Sequence, residues 1–261
     1  MQERHIRRDK YFDEQAYTTE KFVIPFIEGI RKISKGMKVL EIGCGEGGNI
    51  KPFLDAGCMV TGIDILESKI SNARLFFENH PKKNSLHLIA LDIYDAGDEF
   101  HGYFDIIFMR DVLEHIYDQD KFLSLAKKFL KPDGLFFLGF PPWQNPFGGH
   151  QQMCQSKLLS RMPYLHLLPG KLYPGVLKLF KEPDSLVRDL LEIKHTRITI
   201  ERFNRIIKKE NYLVRRRSFY FINPNYEVKF GLRPRVQTGF ISGLPWLRNY
   251  LITTCYYILS K

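Results

Sequence analysis

Val39-Leu40-Glu41-Ile42-Gly43-Cys44-Gly45-Glu46-Gly47-Gly48-Asn49 decides how this chain of 261 residues is read. An apolar run, Lys38–Ile42, passes into a glycine-rich turn and then into a helical pattern over Asn49–Ala56. Glycines there let the backbone bend sharply and approach a ligand with no Cβ in the way. The helix start then presents unpaired N–H groups. Gly43, Gly45 and Gly48 also satisfy the dinucleotide pattern G-x-G-x-x-G, and tight turns without any ligand use glycine too. Glu41 separates these readings. A carboxylate at the end of a core strand is costly without a cationic partner. A pyrophosphate would gain nothing from it, whereas a ligand carrying an ammonium or sulfonium would.

Outward from this turn, comparable apolar runs recur at Met59–Ile63, Leu86–Leu91, Tyr103–Met109 and Leu135–Phe140. They are short and apolar on both faces, as central parallel strands are. Helical patterns at Glu67–Asn79 and Gln119–Leu130 lie between them, and one at Lys21–Ile33 precedes them. This order predicts a doubly wound α/β sheet. Asp64 and Asp92 end the second and third runs. With Glu41 they line the carboxyl edge, the crevice where open α/β sheets bind ligands, and Asp64 sits where an acid can accept both hydroxyls of a ribose. Both aspartates also fit helix caps or turns.

Composition sets the frame. Hydrophobic residues make up 44% and charged residues 26%, which excludes collagen-like and disordered classes. The four cysteines form no Cys-x-x-Cys pair, so zinc-knuckle and thioredoxin-type motifs are absent. The start MQERHIRRDK has no apolar stretch after its charges, and no run reaches membrane-span length. A cytoplasmic protein is expected. The net charge of +10 is uneven: residues 1–190 hold 25 Lys plus Arg against 25 Asp plus Glu, and 191–261 hold 14 against 4.

The segments VLEIGCGEGGN (39–49), VTGIDI (60–65), LDIYD (91–95), FDIIFMRDVLEHI (104–116) and LKPDGLFFLGFPP (130–142) together resemble class I S-adenosylmethionine-dependent methyltransferases, in that family's order and spacing. The resemblance covers residues 36–142 well and the carboxyl end less specifically. It implies a Rossmann-like seven-stranded sheet with the last strand antiparallel, helices on both faces and a helical cap insertion. The expected organisation is an N-terminal helical lid (1–35), the cofactor-binding core (36–142), an inserted cap over the acceptor site (141–195), and a helix and strand pair completing the sheet (196–261). The resemblance further implies S-adenosylmethionine as cofactor and S-adenosylhomocysteine as product. Gly43 and Gly45 would let the methionine moiety pass close, with Glu41 toward its amino group. Asp64 would bind the ribose hydroxyls with Ile65 on the adenine, and Asp92 would accept from the exocyclic amine with Ile93 on the other face. Met109 and Arg110 would offer backbone contacts, and Tyr17 with Tyr11 would form the lid. Arg110 equally fits a surface pair with Asp111.

Methyl transfer from a sulfonium is an in-line displacement that mainly needs alignment and exclusion of water, and a hydroxyl acceptor also benefits from a base. His150, after the Pro146-Phe147-Gly148-Gly149 loop, is the candidate base; a histidine bonding the loop backbone is the structural alternative. Asp111, Glu114 and His115 share a helical face, but three ligands on one turn rarely converge, so no metal is expected. Aromatic and Met residues at Trp143, Phe147, Met153, Met162, Tyr164 and Tyr173 suit either an apolar acceptor or a small core of the insertion.

The basic end has several readings. Arg215, Arg216 and Arg217 alternate faces if they lie on a strand. Charge with Phe219, Tyr220 and Phe221 would suit RNA; charge with Trp246, Leu247, Tyr250, Tyr256 and Tyr257 would suit a membrane surface; a solvated face needs no partner. The expected activity is methyl transfer to a small, lipid-linked or glycan-linked acceptor, at oxygen, with no obligate protein partner. An RNA methyltransferase and a non-catalytic S-adenosylmethionine-binding protein are the rivals, ahead of an NAD-dependent dehydrogenase, which Glu41 disfavours.

Overall fold

The computed structural model describes residues 7–261. Five parallel strands form one half of the sheet: β1 (Lys38–Ile42), β2 (Met59–Asp64), β3 (Leu86–Ala90), β4 (Phe104–Arg110) and β5 (Leu130–Phe140). β6 (Leu213–Ile222), β7 (Arg235–Val236) and β8 (Thr254–Ser260) complete it in the order β3-β2-β1-β4-β5-β8-β6-β7. β8 runs antiparallel to both β5 and β6, so the last strand is reversed as expected. The sheet has eight strands where seven were expected, because a two-residue strand on the long excursion after β6 pairs with the edge. Strand order reverses between β1 and β4, which places the topological switch point beside the glycine-rich turn.

Helices cover both faces. On one side α1 (Arg8–Thr18), α2 (Ile24–Glu28), α3 (Ile50–Asp55) and α4 (Glu67–Phe77) contribute Phe12, Phe26, Ile27, Phe53 and Ile70, packed against Val39, Val60, Ile106, Phe108, Phe137 and Tyr256. On the other, α5 (Gln119–Phe129) contributes Phe122, Ala126 and Phe129, packed against Leu40, Ile107, Phe136 and Leu138. This alternation along each strand is why the runs read as apolar on both faces.

The expected helix at Lys21–Ile33 is displaced. The chain is helical from Arg8, passes through a π-helical turn at Thr19–Val23, and ends at Glu28. Pro25 carries no N–H to continue an α-ladder, and the wider turn before it absorbs that loss. Tyr17 thus lies on α1 itself. Residues 1–6 of the expected lid lie outside the described residues.

The insertion holds three 3-10 turns, then α6 (Leu172–Leu179) and α7 (Asp184–Thr196). Cys154, Leu159, Leu165, Tyr173, Leu177, Val187 and Leu190 form its own small core. Tyr173 belongs to that core, whereas Met153, Met162 and Tyr164 stay partly exposed. After α7 come α8 (Ile200–Lys209), which joins the α5 side, and α9 (Asn225–Phe230). All four cysteines are free and buried. No helix among the described residues is long and apolar enough to cross a membrane.

Candidate functional site

Glu41 pairs in register with Gly62 of β2 and with Phe108 of β4. Asp64 and Arg110 each lie two residues further along those neighbours, so all three share one face of the sheet. The result is a recessed carboxylate flanked by a carboxylate and a guanidinium at the switch point. All three are buried: Glu41 is 1%, Asp64 6% and Arg110 7% exposed.

Burial pushes the Glu41 carboxyl well above the usual carboxylate range, while a hydrogen bond from Asn49 and the charge of Arg110 act the other way. Asn49 Nδ2 donates to Glu41 Oε1 (2.8 Å), and Thr19 Oγ1 donates to Asn49 Oδ1 (2.9 Å). The π-helical turn therefore braces Glu41 through one intermediary. Oε2 has no hydrogen-bond partner, which is unusual for a buried carboxyl oxygen. Sequence reasoning missed Asn49 and Thr19. Asn49 stands where an N-cap would, yet its side chain caps nothing and turns to Glu41.

The turn is built for close approach. Gly43 (φ 70°) and Gly45 (φ 55°) adopt the left-handed conformation that favours glycine. A Cβ on Gly43 would stand 2.6 Å from Val112 Cγ2, whereas one on Gly45 would meet nothing within 4 Å. Asp64 spans two segments: Oδ2 accepts from the Gly45 N–H (2.8 Å) and Oδ1 from the Leu66 N–H (3.0 Å). Asp92 Oδ1 accepts from the Tyr94 N–H (3.0 Å), opening a short 3-10 turn. Ile65 is 66% exposed beside Asp64, an uncovered apolar surface, whereas Ile93 packs into the core.

Tyr17 on α1 is tied to α9: its hydroxyl donates to Glu227 Oε1 (2.6 Å) and accepts from Lys21 Nζ (2.8 Å). Met109 is fully buried. Arg110 is no surface group. Its Nε lies 3.8 Å from Asp111 Oδ2, and both Nε and Nη1 are buried without hydrogen-bond partners.

Beyond β4, His150 comes from the insertion to meet the 3-10 turn Leu113–His115. His150 Nε2 stands 3.7 Å from Glu114 Oε1, and the His115 and His150 rings are 5.2 Å apart. Burial and the neighbouring His115 and His166 hold His150 down at about 3. Burial also raises Glu114 well above the ordinary range, whereas His115 on the same turn is exposed. Near neutral pH His150 is therefore an unprotonated, weakly basic imidazole. Ligand atoms of Glu114, His115 and His150 lie within 4.8 Å of one another. One carboxylate and two imidazoles are a donor set that can hold a divalent cation. His150 is the member that the sequence could not attach to this turn.

The arginines of β6 separate as alternation requires. Arg216 lies over the Phe26 ring at 4.4 Å and donates to the Phe26 carbonyl, whereas Arg217 stands over Phe219 at 5.8 Å on the other face.

Curated relatives resemble this chain over about half of its length. A ubiquinone biosynthesis O-methyltransferase of Bartonella bacilliformis is 32% identical over 130 residues, covering 47% of this chain and 49% of that protein. One of Pelagibacter ubique is 33% identical over 126 residues, covering 47% and 50%. The chain thus spans about half the length of the curated relatives it matches. Among solved structures, phosphoethanolamine N-methyltransferase 2 of Haemonchus contortus in complex with S-adenosyl-L-methionine superposes with a TM-score of 0.58 at 16% identity, covering 91% of this chain and 51% of that one. Geranyl diphosphate C-methyltransferase of Streptomyces coelicolor gives 0.56 at 14% identity, covering 90% and 77%. At these identities the likeness concerns the fold. The family model described as "Methyltransferase domain" matches residues 13–166, more than half of the chain, and the protein belongs to that family.

Proposed function

We propose that this protein is an S-adenosylmethionine-dependent methyltransferase acting at oxygen on a small-molecule acceptor. The observation that carries the reading is Glu41: a buried carboxyl with one unpartnered oxygen, recessed between the glycine-rich turn and Arg110. That position suits an ammonium better than a phosphate. The uncovered cradle at Gly45 and the exposed Ile65 fit the rest of such a ligand. Family membership and the O-methyltransferase relatives support the choice of reaction and atom.

On this reading Glu41 holds the amino group of the methionine end, and the backbone of Gly43, Gly45 and Arg110 passes alongside it. Asp64 has lone pairs left after its two backbone bonds, and these take the ribose hydroxyls. Ile65 covers the adenine and Asp92 accepts from its exocyclic amine, whereas Ile93, buried in the core, offers it no face. α1, with Tyr17 tied to α9, closes the open side. The bound cofactor supplies an electrophilic methyl on a positive sulfur. An acceptor hydroxyl aligned with that methyl would lose its proton to the unprotonated imidazole of His150. No cofactor-binding role goes to the distant basic strand β6.

The test is calorimetric titration with S-adenosylmethionine and S-adenosylhomocysteine, with Asp64→Ala and NAD as controls. Micromolar binding that Asp64→Ala abolishes and NAD does not compete supports the reading, and methyl transfer to a panel of hydroxylated small acceptors then follows. A folded wild type that binds neither compound refutes it. A lipid-linked acceptor is a second reading, supported by Phe240 and Trp246, 79% and 57% exposed on the excursion that also carries Arg233 and Arg235. Cosedimentation with anionic vesicles that is lost in Phe240→Ser/Trp246→Ser would favour it, and its absence in wild type would remove it.

A further inference from the structure

The even charge balance of residues 1–190 hides a division. Residues 134–181 contain no Asp or Glu, and neither do residues 228–261. The first stretch runs from β5 through the insertion to just past α6 and carries Lys157, Arg161, Lys171, Lys178 and Lys181. The second takes in most of the excursion after β6 and includes Arg233 and Arg235. All seven are exposed, whereas Arg248 is held by Glu201 (2.9 Å) and does not count among them. β8 runs antiparallel to both β5 and β6, so β5 and β6 end at the same edge of the sheet. The insertion leaves the end of β5 and the excursion the end of β6, and both project from the carboxyl edge that carries the glycine-rich turn. The two meet where the Tyr164 hydroxyl donates to the Tyr250 carbonyl (3.2 Å).

α6 has two apolar faces. Tyr173 and Leu177 point into the small core of the insertion. Leu172 and Leu179, two helical turns apart and so on one stripe, are instead 59% and 77% exposed. Lys171 and Lys178 repeat at the same interval and run beside them. Leu158, Met162 and Phe180 add exposed apolar surface on the insertion, and Val236, Phe240, Trp246 and Leu247 add it on the excursion. Single exposed apolar residues are ordinary; leucines and lysines in register along one helix, in a chain stretch without acids, are not. A nucleic acid would use the lysines and leave the leucines in water. A second copy would bury the leucines but oppose like charges. An anionic bilayer accommodates both, with leucines at the boundary of headgroups and acyl chains and ammonium groups at the phosphates. We propose that this cationic apolar face, anchored by α6, docks the protein on an anionic lipid bilayer with the carboxyl edge of the sheet toward the surface. An acceptor dissolved in the bilayer then enters the site without crossing water. The inference extends the lipid-linked reading from the excursion to the insertion and rests on that reading for the acceptor; the docking itself requires neither cofactor nor turnover.

The experiment is flotation of the full chain with vesicles of pure phosphatidylcholine and with vesicles enriched in phosphatidylglycerol. Wild type is expected on the anionic vesicles only, less so as salt rises. Leu172→Ser/Leu179→Ser and Lys171→Glu/Lys178→Glu should each lower partitioning at least about tenfold, one through lost apolar burial and the other through lost attraction. Both pairs are exposed, so urea unfolding of the variants should match wild type. Leu75→Ser, at a leucine 68% exposed on α4, is the matched control and should bind as wild type does. Wild type that binds neither vesicle, or both alike, overturns the proposal. So does a loss confined to the lysine pair, which marks a purely electrostatic partner. So does a leucine pair that floats normally but turns a dimer into a monomer in sedimentation velocity, because the face then belongs to a second copy. Insertion variants that keep binding while Phe240→Ser/Trp246→Ser loses it overturn the role of α6 and leave the lipid-linked reading standing. Docking that depends on α6, with turnover on water-soluble acceptors alone, upholds the surface and removes that reading instead.

Discussion

Gly43→Ala and Gly45→Ala remove similar glycines two residues apart and should fail in different ways. Both residues are left-handed, so each alanine carries a backbone penalty of about 1–2 kcal/mol. At Gly43 the new methyl would also stand 2.6 and 2.8 Å from the two γ-carbons of Val112. Overpacking of this kind adds about 1–3 kcal/mol, which brings Gly43→Ala to about 2–5 kcal/mol, against about 1–2 for Gly45→Ala. Urea unfolding of both variants, of Val112→Ala and of the Gly43→Ala/Val112→Ala pair measures the difference. Val112→Ala removes both clashing atoms, so the double variant should be more stable than the sum of the singles by about 1–3 kcal/mol. Titration with S-adenosylhomocysteine completes the contrast. Gly45→Ala should keep most of its stability and lose affinity, because its methyl enters the open cradle. Additivity of Gly43→Ala and Val112→Ala within about 0.5 kcal/mol would refute the packing argument.

Other consequences are as direct. Ile65→Asp should leave stability within about 0.5 kcal/mol, as for an exposed side chain, yet weaken S-adenosylhomocysteine binding at least tenfold by titration, through a charge against the adenine. His166 is buried, its Nε2 lies 2.8 Å from the Trp143 carbonyl oxygen, and its pKa is held at about 4, with burial the main cause. A depressed imidazole binds its proton more readily in the unfolded chain, so its contribution is present above about pH 6.5 and is lost as pH falls toward 4. Between those values wild-type stability should fall more steeply with acidification than that of His166→Gln, by about 1.4 kcal/mol per pH unit, as read from urea unfolding across pH. His150→Gln should lower kcat by less than about 100-fold at unchanged affinity for S-adenosylmethionine, because an imidazole held at about 3 is a weak base. With His150 held at about 3, the wild-type rate profile should carry no limb from this residue near pH 6.5. A variant with full turnover would remove His150 from the reaction.

Much of the architecture was legible because parallel central strands write a local signal: short runs apolar on both faces, separated by helical periods. The five strands of the parallel half lie where that pattern puts them, with β5 starting at Leu130 ahead of its apolar run, and the reversed last strand is the one that the family resemblance implied. Two elements departed from it. The first helix begins at Arg8, since α1 is mostly polar and packs through a few residues such as Phe12, leaving little periodic signal. The edge strand β7 is two residues long, too short for any period to show.

At the site, local sequence determined which chemistry-bearing residues end which strands: Glu41, Asp64 and Asp92 announce themselves by following apolar runs. The meeting of Glu41 with Asp64 and Arg110 on one face depends on register and strand order, which are long-range. The sequence left Arg110 open between a surface pair and a cofactor contact, and only tertiary packing decided that it is buried, because the space it fills is made by Gly139 and Tyr256 from two other strands. The same holds for His150, brought to Glu114 and His115 from across β5, and for Thr19, brought to Asn49 from the preceding helix. Residue type and spacing carry the backbone's local preferences; burial, charge balance and unpartnered polar atoms exist only once distant segments have displaced the water between them.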